Sequence, residues 1–211
     1  MKTKHVRARP GTGPAPLAVT AAILLAALGG AVVPVPGARA VSDPDSDSFG
    51  IYFDAAGVLP EAMSTPFQPF DAYLLLANPL GPVDGFECTI TTQGGSLLFL
   101  SSDLGPQTLD VDGSPNGYAV GAAMPYPVSN NAVKLIHWQC LTVSTAGTYL
   151  LVGEATQPSL PGGWPVVTGG GVLRRCLVRG GDVSGPVACV NAHCVVADEP
   201  TSFGAVKGLY R

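Results

Sequence analysis

Short apolar or alternating runs, each bounded by glycine, proline or asparagine, recur along this chain of 211 residues. A helix would repeat its apolar residues every three or four positions, and that spacing is nearly absent here. The runs lie at residues 49–53, 72–77, 86–91, 96–100, 108–111, 118–122, 133–143, 148–152, 166–167, 172–178 and 187–190. Many short strands separated by turn residues are typical of an all-β sandwich or barrel, and of these we expect an antiparallel β-sandwich.

Two of these runs indicate which side chains are buried. In residues 133–143 the alternation of apolar and polar side chains shifts by one position near Trp138. A β-bulge around residues 136–138 would reconcile the two halves of this strand. The three consecutive leucines at residues 74–76 are typical of a strand that is covered on both faces.

Residues 1–40 have the three parts of a secretory signal peptide. Basic residues open the segment, an apolar run covers residues 17–33, and Ala38, Arg39 and Ala40 form the small-residue end. This order predicts cleavage near Ala40 and a secreted protein, either extracellular or periplasmic. An uncleaved membrane anchor is the alternative, but the run is short for a spanning helix and prolines follow it. We expect no membrane span in the mature chain.

The mature chain divides into three parts by composition. Residues 41–48 are rich in aspartate and predict a solvated acidic linker. Residues 49–200 contain the apolar runs and therefore the predicted sandwich domain. Residues 201–211 place Phe203 and Val206 on one helical face, which predicts a short C-terminal helix or a tail docked on the sandwich.

The signal peptide conceals the acidity of the mature chain. It contains five of the 11 Lys and Arg residues and none of the 15 Asp and Glu residues. After cleavage the chain has six basic and fifteen acidic groups, a net charge of −9 in place of −4. Such a chain repels phosphate backbones, so the sequence predicts that it binds no nucleic acid.

All five cysteines follow the signal peptide, and an oxidising compartment favours disulfides between them. Cys88 and Cys140 each lie in a strong strand candidate, so we predict a bridge between them. Cys189 and Cys194 flank a short turn and form the second predicted bridge, which leaves Cys176 as a buried thiol. A rival pattern joins Cys176 to Cys189 or Cys194. A zinc site built from the last cysteines is a further alternative, although the spacing matches no familiar zinc motif.

Two aromatic residues lie in predicted loops, Tyr126 between two prolines and Trp164 after two glycines. An exposed aromatic ring on a rigid scaffold can stack on a sugar ring. Tyr126 and Trp164 are therefore candidate ligand-binding residues, with local packing as the alternative interpretation.

One acidic loop begins like a calcium-binding loop. Asp110, Asp112 and Asn116 offer oxygen ligands ahead of or beside a glycine turn, and they are candidate calcium ligands. The loop lacks the third acidic position and the distant bidentate glutamate of an EF-hand. A polar hairpin loop without metal is the alternative, and the sequence indicates no other cofactor.

Recognisable catalytic motifs are absent from the sequence. His137 and His193 are the histidines that follow the signal peptide. No phosphate-binding loop, dinucleotide fingerprint or zinc-protease motif occurs. Glu87 and Glu154 lie in strands and are the candidates for the paired carboxylates of a glycosidase, with solvent-facing strand positions as the alternative. The sequence therefore predicts no catalytic residues.

The stretches at residues 50–54, 73–79 and 83–88 and the ending at residues 203–211 resemble a group of short secreted bacterial proteins of uncharacterised function. The shared ending has the pattern F/W-G-x-V/I-K-x-L-Y-R. The stretch at residues 83–87, followed by a long β-rich region, is also similar to cohesin-type sandwich domains, which bind dockerins or carbohydrates. The resemblance implies an immunoglobulin-like or cohesin-like sandwich, and it brings no catalytic residues.

These observations together predict a secreted, non-enzymatic β-sandwich that works as a surface, adhesion or recognition module. Its expected partner is a protein or a glycan at the cell surface or outside the cell. One alternative is a carbohydrate-binding module that uses loop aromatics and calcium. A secreted glycoside or ester hydrolase is the third class.

Overall fold

The apolar runs form strands close to the positions that the alternation predicts. The computed structural model describes residues 41–194, and this part contains fourteen β-strands and no helix. The strands are β1 (Ser48–Tyr52), β2 (Glu61–Ala62), β3 (Phe70–Ala77), β4 (Gly85–Gly94), β5 (Leu97–Asp103), β6 (Thr108–Asp110), β7 (Gly117–Ala122), β8 (Val128–Ser129), β9 (Ala132–Thr142), β10 (Thr148–Gly153), β11 (Val166–Gly169), β12 (Val172–Arg175), β13 (Leu177–Val178) and β14 (Ala188–Val190). The described part therefore has no helix of the length and hydrophobicity that crossing a bilayer requires. The predicted signal peptide and C-terminal helix lie outside the described residues.

The strands form two sheets that pack face to face, so the predicted β-sandwich is confirmed. The first sheet has the order β13-β1-β3-β9-β5, with β8 paired to one end of β9. The second sheet has the order β12-β11-β4-β10-β14-β2, with β7 on the other edge of β4 and β6 beyond it. Both sheets are mixed, because β13 runs parallel to β1 and β2 runs parallel to β14. The remaining pairs are antiparallel, as the sequence predicts.

A hydrogen-bonded aromatic pair joins the two sheets in the core. Trp138 on β9 and Tyr118 on β7 are both buried, and their ring centroids lie 6.2 Å apart. The indole Nε1 of Trp138 donates a hydrogen bond to the hydroxyl of Tyr118 at 3.0 Å. The polar atoms of two large rings are thus satisfied without water, which fixes how the sheets face each other.

Strand β3 is covered on both faces, as its consecutive leucines predict. Leu74 and Leu76 enter the core between the sheets, whereas Leu75 points to the outer face and is still buried.

The β-bulge predicted in β9 is present, one residue before the predicted range. Leu74 pairs with Ile136 and Leu75 pairs with Lys134, so Leu135 is the extra residue.

The segment before β1 corrects the prediction of a solvated acidic linker. Val41 packs with Leu75 on the outer face of the first sheet, and Asp43 and Asp47 are almost completely buried. Asp47 accepts hydrogen bonds from Arg174 Nε at 2.8 Å and from a backbone amide. Asp43 accepts one from a serine hydroxyl. The aspartates are therefore structural, because the carboxylate of each is hydrogen-bonded within the fold.

One of the two predicted disulfides is present in the structure. Cys189 and Cys194 are bonded, with 5.7 Å between their Cα atoms. The predicted bridge between Cys88 and Cys140 is wrong, because both are free thiols, as is Cys176. An inter-sheet bridge needs Cα atoms within about 7 Å. Cys88 pairs in register with Tyr118, whose ring packs on Trp138, two residues before Cys140 on β9.

Candidate functional site

An open groove lies on the outer face of the second sheet, where five strands bring a row of residues side by side. From β6 to β12, the residues that pair in register along this row are Leu109, Gly121, Gly85, Thr168 and Leu173. The second and third residues of the row are glycines, while the leucines at the ends are 67% and 44% exposed. The row therefore forms a shallow channel with a glycine floor and leucine walls.

A second row, two residues further along the strands, continues the same channel. Its members in order are Val111, Ala119, Glu87, Val166 and Arg175. Val111 is 72% exposed and extends the wall that begins at Leu109. We call the channel formed by these two rows the sheet-two groove. A pocket of about 210 Å³ occupies the part of it that is lined by Glu87, Val111, Gly121, Thr168 and Leu173.

The floor of the sheet-two groove is open to solvent above β7. A Cβ atom added to Gly121 would have no neighbour within 4 Å, whereas one added to Gly85 would meet the Thr168 methyl group at 2.6 Å. Thr168 thus leans over one side of the floor and leaves the other side free. A ligand side chain would find room between Gly121 and the two walls.

A loop between β10 and β11 closes one end of the sheet-two groove. These two strands share one edge of β4, and residues 154–165 leave the sheet between them. Glu87 holds the loop by accepting hydrogen bonds from the amide of Ser159 at 2.8 Å and from its hydroxyl at 2.5 Å. Glu154 accepts one from the amide of Gly162 at 2.6 Å. The two candidate glycosidase carboxylates are therefore both engaged in fixing this loop.

The closed end of the groove is acidic. Glu87 and Asp112 line an adjoining hollow of about 280 Å³, together with Val111 from the groove wall. Asp110 lies beside it and accepts a hydrogen bond from the amide of Ala119 at 3.0 Å. Arg175 is the basic residue of the two rows, and its guanidinium donates to a backbone carbonyl of the loop. Negative charge therefore dominates this end.

The candidate calcium ligands form tight turns that use their own oxygen atoms. Asp110 accepts the amide of Asp112, and Asp112 accepts both the amide and the hydroxyl of Ser114. Asn116 adopts a left-handed conformation with φ of 63°, as a turn residue does. Within residues 41–194 no group of three or more His, Cys, Asp or Glu side chains is close enough to hold a metal ion. The geometry is that of a polar hairpin, the alternative that the sequence offers.

The two candidate aromatic platforms are both packed against the core. Tyr126 is 8% exposed, and its hydroxyl donates a hydrogen bond to the carbonyl oxygen of Leu104 at 3.2 Å. Its ring packs near Phe86, so the prediction that Tyr126 is a loop aromatic available to a sugar is wrong. Trp164 is partly buried at the end of the loop and contacts the same core. Its role in ligand binding stays a prediction.

Each described histidine pairs with one carboxylate, at separate places on the surface. His137 lies 2.9 Å from Asp71 and stacks on Tyr73 on the outer face of the first sheet. His193 lies 3.0 Å from Glu61, next to the disulfide. Both pairs are accounted for by local packing and hydrogen bonding.

The free thiols are buried in the core. Desolvation raises the pKa of Cys140 and of Cys176 to about 12 and raises that of Cys88 further. A thiol must ionise to act as a nucleophile or to bind a metal. These three cysteines therefore behave as small apolar core residues.

Sequence reasoning missed the sheet-two groove. Its residues come from β4 and from four later strands, β6, β7, β11 and β12, so register alone brings them together. The sequence feature that could have indicated the groove is the presence of glycine in or next to predicted strands, at Gly85 and Gly121. Such glycines often mark a place where another group approaches the sheet closely.

Comparison with known proteins gives one structural likeness. The fold is similar to a cohesin module from a family 33 glycoside hydrolase of Clostridium perfringens, with 9% sequence identity and a TM-score of 0.38. The match covers 62% of this chain and 90% of that module. No protein-family model matches the chain, and no curated protein matches its sequence. A likeness of this extent supports no transfer of a site or a partner.

Proposed function

We propose that this chain is a secreted, non-enzymatic recognition module that binds a partner protein through the sheet-two groove. The observation that supports this most directly is the exposure of Leu109, Val111 and Leu173 around a floor that contains Gly85 and Gly121. Contiguous apolar side chains on the surface of a soluble domain are typical of interaction sites.

A partner bound in the groove would bury the apolar surface of three exposed side chains. Covering an apolar side chain contributes roughly 25 cal/mol for each Å² removed from water, and three large side chains supply a substantial part of a binding energy. The floor and the leucines of the walls belong to hydrogen-bonded strands, so little backbone entropy would be lost there when a partner binds. An apolar centre with a polar rim is also the usual composition of a protein interface.

A protein partner suits this groove better than a glycan. Sugar sites rely on exposed aromatic faces, and the groove walls are aliphatic, with Tyr126 in the core. The proposal of a non-enzymatic role is supported by the engagement of Glu87 and Glu154 in loop anchoring. The proposal of secretion is supported by the disulfide between Cys189 and Cys194, because such bonds persist in oxidising compartments.

A peptide selection tests the proposed site. We would select a random peptide library against the mature protein and then measure the enriched peptides against Leu173→Asp. The control variant is Leu98→Asp, which places the same charge on an exposed leucine of the first sheet. We expect saturable binding to the protein and to Leu98→Asp, and a loss of at least about tenfold in affinity for Leu173→Asp.

Two outcomes would contradict the proposal. Peptides that bind Leu173→Asp as well as the unchanged protein would exclude the sheet-two groove as the site. Saturable binding on a glycan array that survives in Leu173→Asp would favour a carbohydrate-binding module. Running the array with and without calcium would also test Asp110, Asp112 and Asn116.

A further inference from the structure

The segment between β2 and β3 presents an exposed phenylalanine. The side chain of Phe67 is 66% exposed, whereas the other described phenylalanines are buried or partly buried. Met63, on the same segment, is 85% exposed. Residues 63–69, which we call the Phe67 loop, contain no charged side chain. The loop is therefore an uncharged and apolar part of the surface of an acidic chain.

The backbone of Phe67 has a conformation that rarely suits a bulky side chain. Its φ is 63°, in the left-handed region. The amide of Gln68 donates a hydrogen bond to the carbonyl oxygen of Thr65 at 3.1 Å, so Pro66 and Phe67 are the central residues of a β-turn. A positive φ at the second central position is usually taken by glycine or asparagine. A large ring stands here although neither the backbone nor burial favours it, which points to a role outside the fold of its own chain.

Hydrogen bonds hold the Phe67 loop in place. The amide of Phe67 donates to the carbonyl oxygen of Thr142 on β9 at 2.8 Å. The hydroxyl groups of Ser64 and Thr142 lie 2.9 Å apart, and the amide of Ser64 donates to the side-chain oxygen of Asn191 at 2.8 Å. An exposed ring on a fixed loop loses little conformational entropy on binding, as the aromatic anchors of protein interfaces do.

The sheet-two groove of the same chain has room for such a ring. Its pocket of about 210 Å³ is larger than the roughly 150 Å³ of an apolar cavity that accepts benzene. The carboxylates at the closed end of the groove would repel an acidic segment, but the Phe67 loop has no charge. Phe67 is tied to β9 of the first sheet, and the groove lies on the outer face of the second sheet. The ring can therefore reach this groove only in another molecule.

We propose that the Phe67 ring of one copy of this chain inserts between the leucine walls of the sheet-two groove of another copy. The inference rests on the proposed function, since it names a second copy as the partner at the same site. The ring and the groove are different surfaces, so the contact is head-to-tail. A pair of copies keeps one free ring and one free groove, and association continues beyond the dimer as the protein concentration rises.

Sedimentation of the full mature chain over a range of protein concentrations tests this inference. We expect the average mass of the unchanged protein to grow past that of a dimer. Phe67→Gly and Leu173→Asp should each stay monomeric at the same concentrations. Glycine adopts a positive φ freely, so the melting temperature of Phe67→Gly should stay level or rise while association is lost. A lower melting temperature would mean that Phe67 serves the fold of its own chain.

A mixture of the two variants is the decisive control. Phe67→Gly keeps the groove and Leu173→Asp keeps the ring, so an equimolar mixture should form pairs that cannot extend. Pair formation would also exclude general repulsion by the added charge. Leu109→Asp, on the opposite wall, replaces Leu173→Asp if that variant fails to fold. Met63→Ser removes a more exposed apolar side chain of the same loop and should leave association unchanged.

Four results would overturn the inference. They are a protein that is monomeric at every concentration, a dimer that persists in Phe67→Gly, a mixture that forms no pairs, and an equal loss of association in Met63→Ser.

The two proposals fail in different ways. If selected peptides depend on Leu173 while the unchanged protein stays monomeric, the groove binds a different partner and only the self-association fails. If the protein associates through Phe67 and Leu173 but no selected peptide depends on Leu173, the groove recognises a second copy alone. If peptides bind Leu173→Asp fully and Phe67→Gly still associates, both proposals fail.

Discussion

The two sheets of this sandwich have similar strands but different outer faces. On the first sheet, the outward-facing Leu75 and Tyr52 are buried because Val41 and the loop at Gly57 pack over them. On the second sheet, Leu173 points outward in the same way and remains exposed. The apolar outer face of the first sheet therefore contributes to stability, because other segments of the described chain pack on it. The exposed outer leucines of the second sheet are the basis of the proposed binding site.

The largest expected contrast is between two leucine truncations. Leu75→Ala should lower the free energy of unfolding by about 2–4 kcal/mol, because it opens a cavity beneath the covering segment. Leu173→Ala, at a residue 44% exposed, should change it by less than about 1 kcal/mol. Urea denaturation of both variants measures the difference. Equal losses would mean that the second sheet also depends on its outer leucines for stability.

Much of the fold could be predicted because a strand shows in its own sequence, as a local pattern of apolar and polar residues. Alternation along β9 and the consecutive leucines of β3 indicate burial residue by residue, and both expectations hold. Strands β2 and β8 were missed because each has two residues and carries no periodicity. A strand of that length exists through its neighbours rather than through its own sequence.

The segments that cover the first sheet and the sheet-two groove could not be predicted. Both depend on contacts between parts of the chain that are far apart in sequence. Asp43 and Asp47 look like solvated linker residues until Ser48 and Arg174 are seen beside them. The disulfide of Cys189 depends on a nearby partner in sequence and was predicted. A bridge to Cys88 depends on inter-sheet packing, and that prediction was wrong.

Alanine substitution at two glycines, Gly57 beside the covered face and Gly121 in the open groove, should change stability in opposite directions. Gly57 has φ of 72°, and a Cβ there would lie 2.7 Å from a Val41 methyl group and 2.9 Å from Leu75. Gly57→Ala should therefore destabilise the protein by about 1–3 kcal/mol. Gly121→Ala meets nothing within 4 Å and should stabilise it by about 0.4–1 kcal/mol while partly filling the groove.

Thermal or urea unfolding of both variants checks the opposite signs. The same Gly121→Ala protein should bind selected peptides more weakly, since its methyl group takes up room that the ligand needs. A stabilised protein with unchanged peptide affinity would place the ligand elsewhere on the sheet. A neutral Gly57→Ala would show that the covering loop can move away from Leu75.

The smallest expected effects are two opposite pH dependences. Burial raises the pKa of Asp43 in the segment that precedes β1, so its contribution to stability is full below the unfolded value of about 3.9 and is lost as the pH rises through the folded value. Hydrogen bonds from Ser114 lower the pKa of Asp112 at the open groove. Its contribution is present above the unfolded value and is lost as the pH falls.

Substitution by asparagine separates the two carboxylates. As the pH rises from about 3 to about 7, the unchanged protein should lose stability relative to Asp43→Asn and gain it relative to Asp112→Asn. Urea unfolding at several pH values measures both differences. Parallel slopes would contradict the contrast, because they would mean that Asp43 is not buried in solution. Opposite slopes would show that the covering segment stays closed in solution while the groove end remains in contact with water.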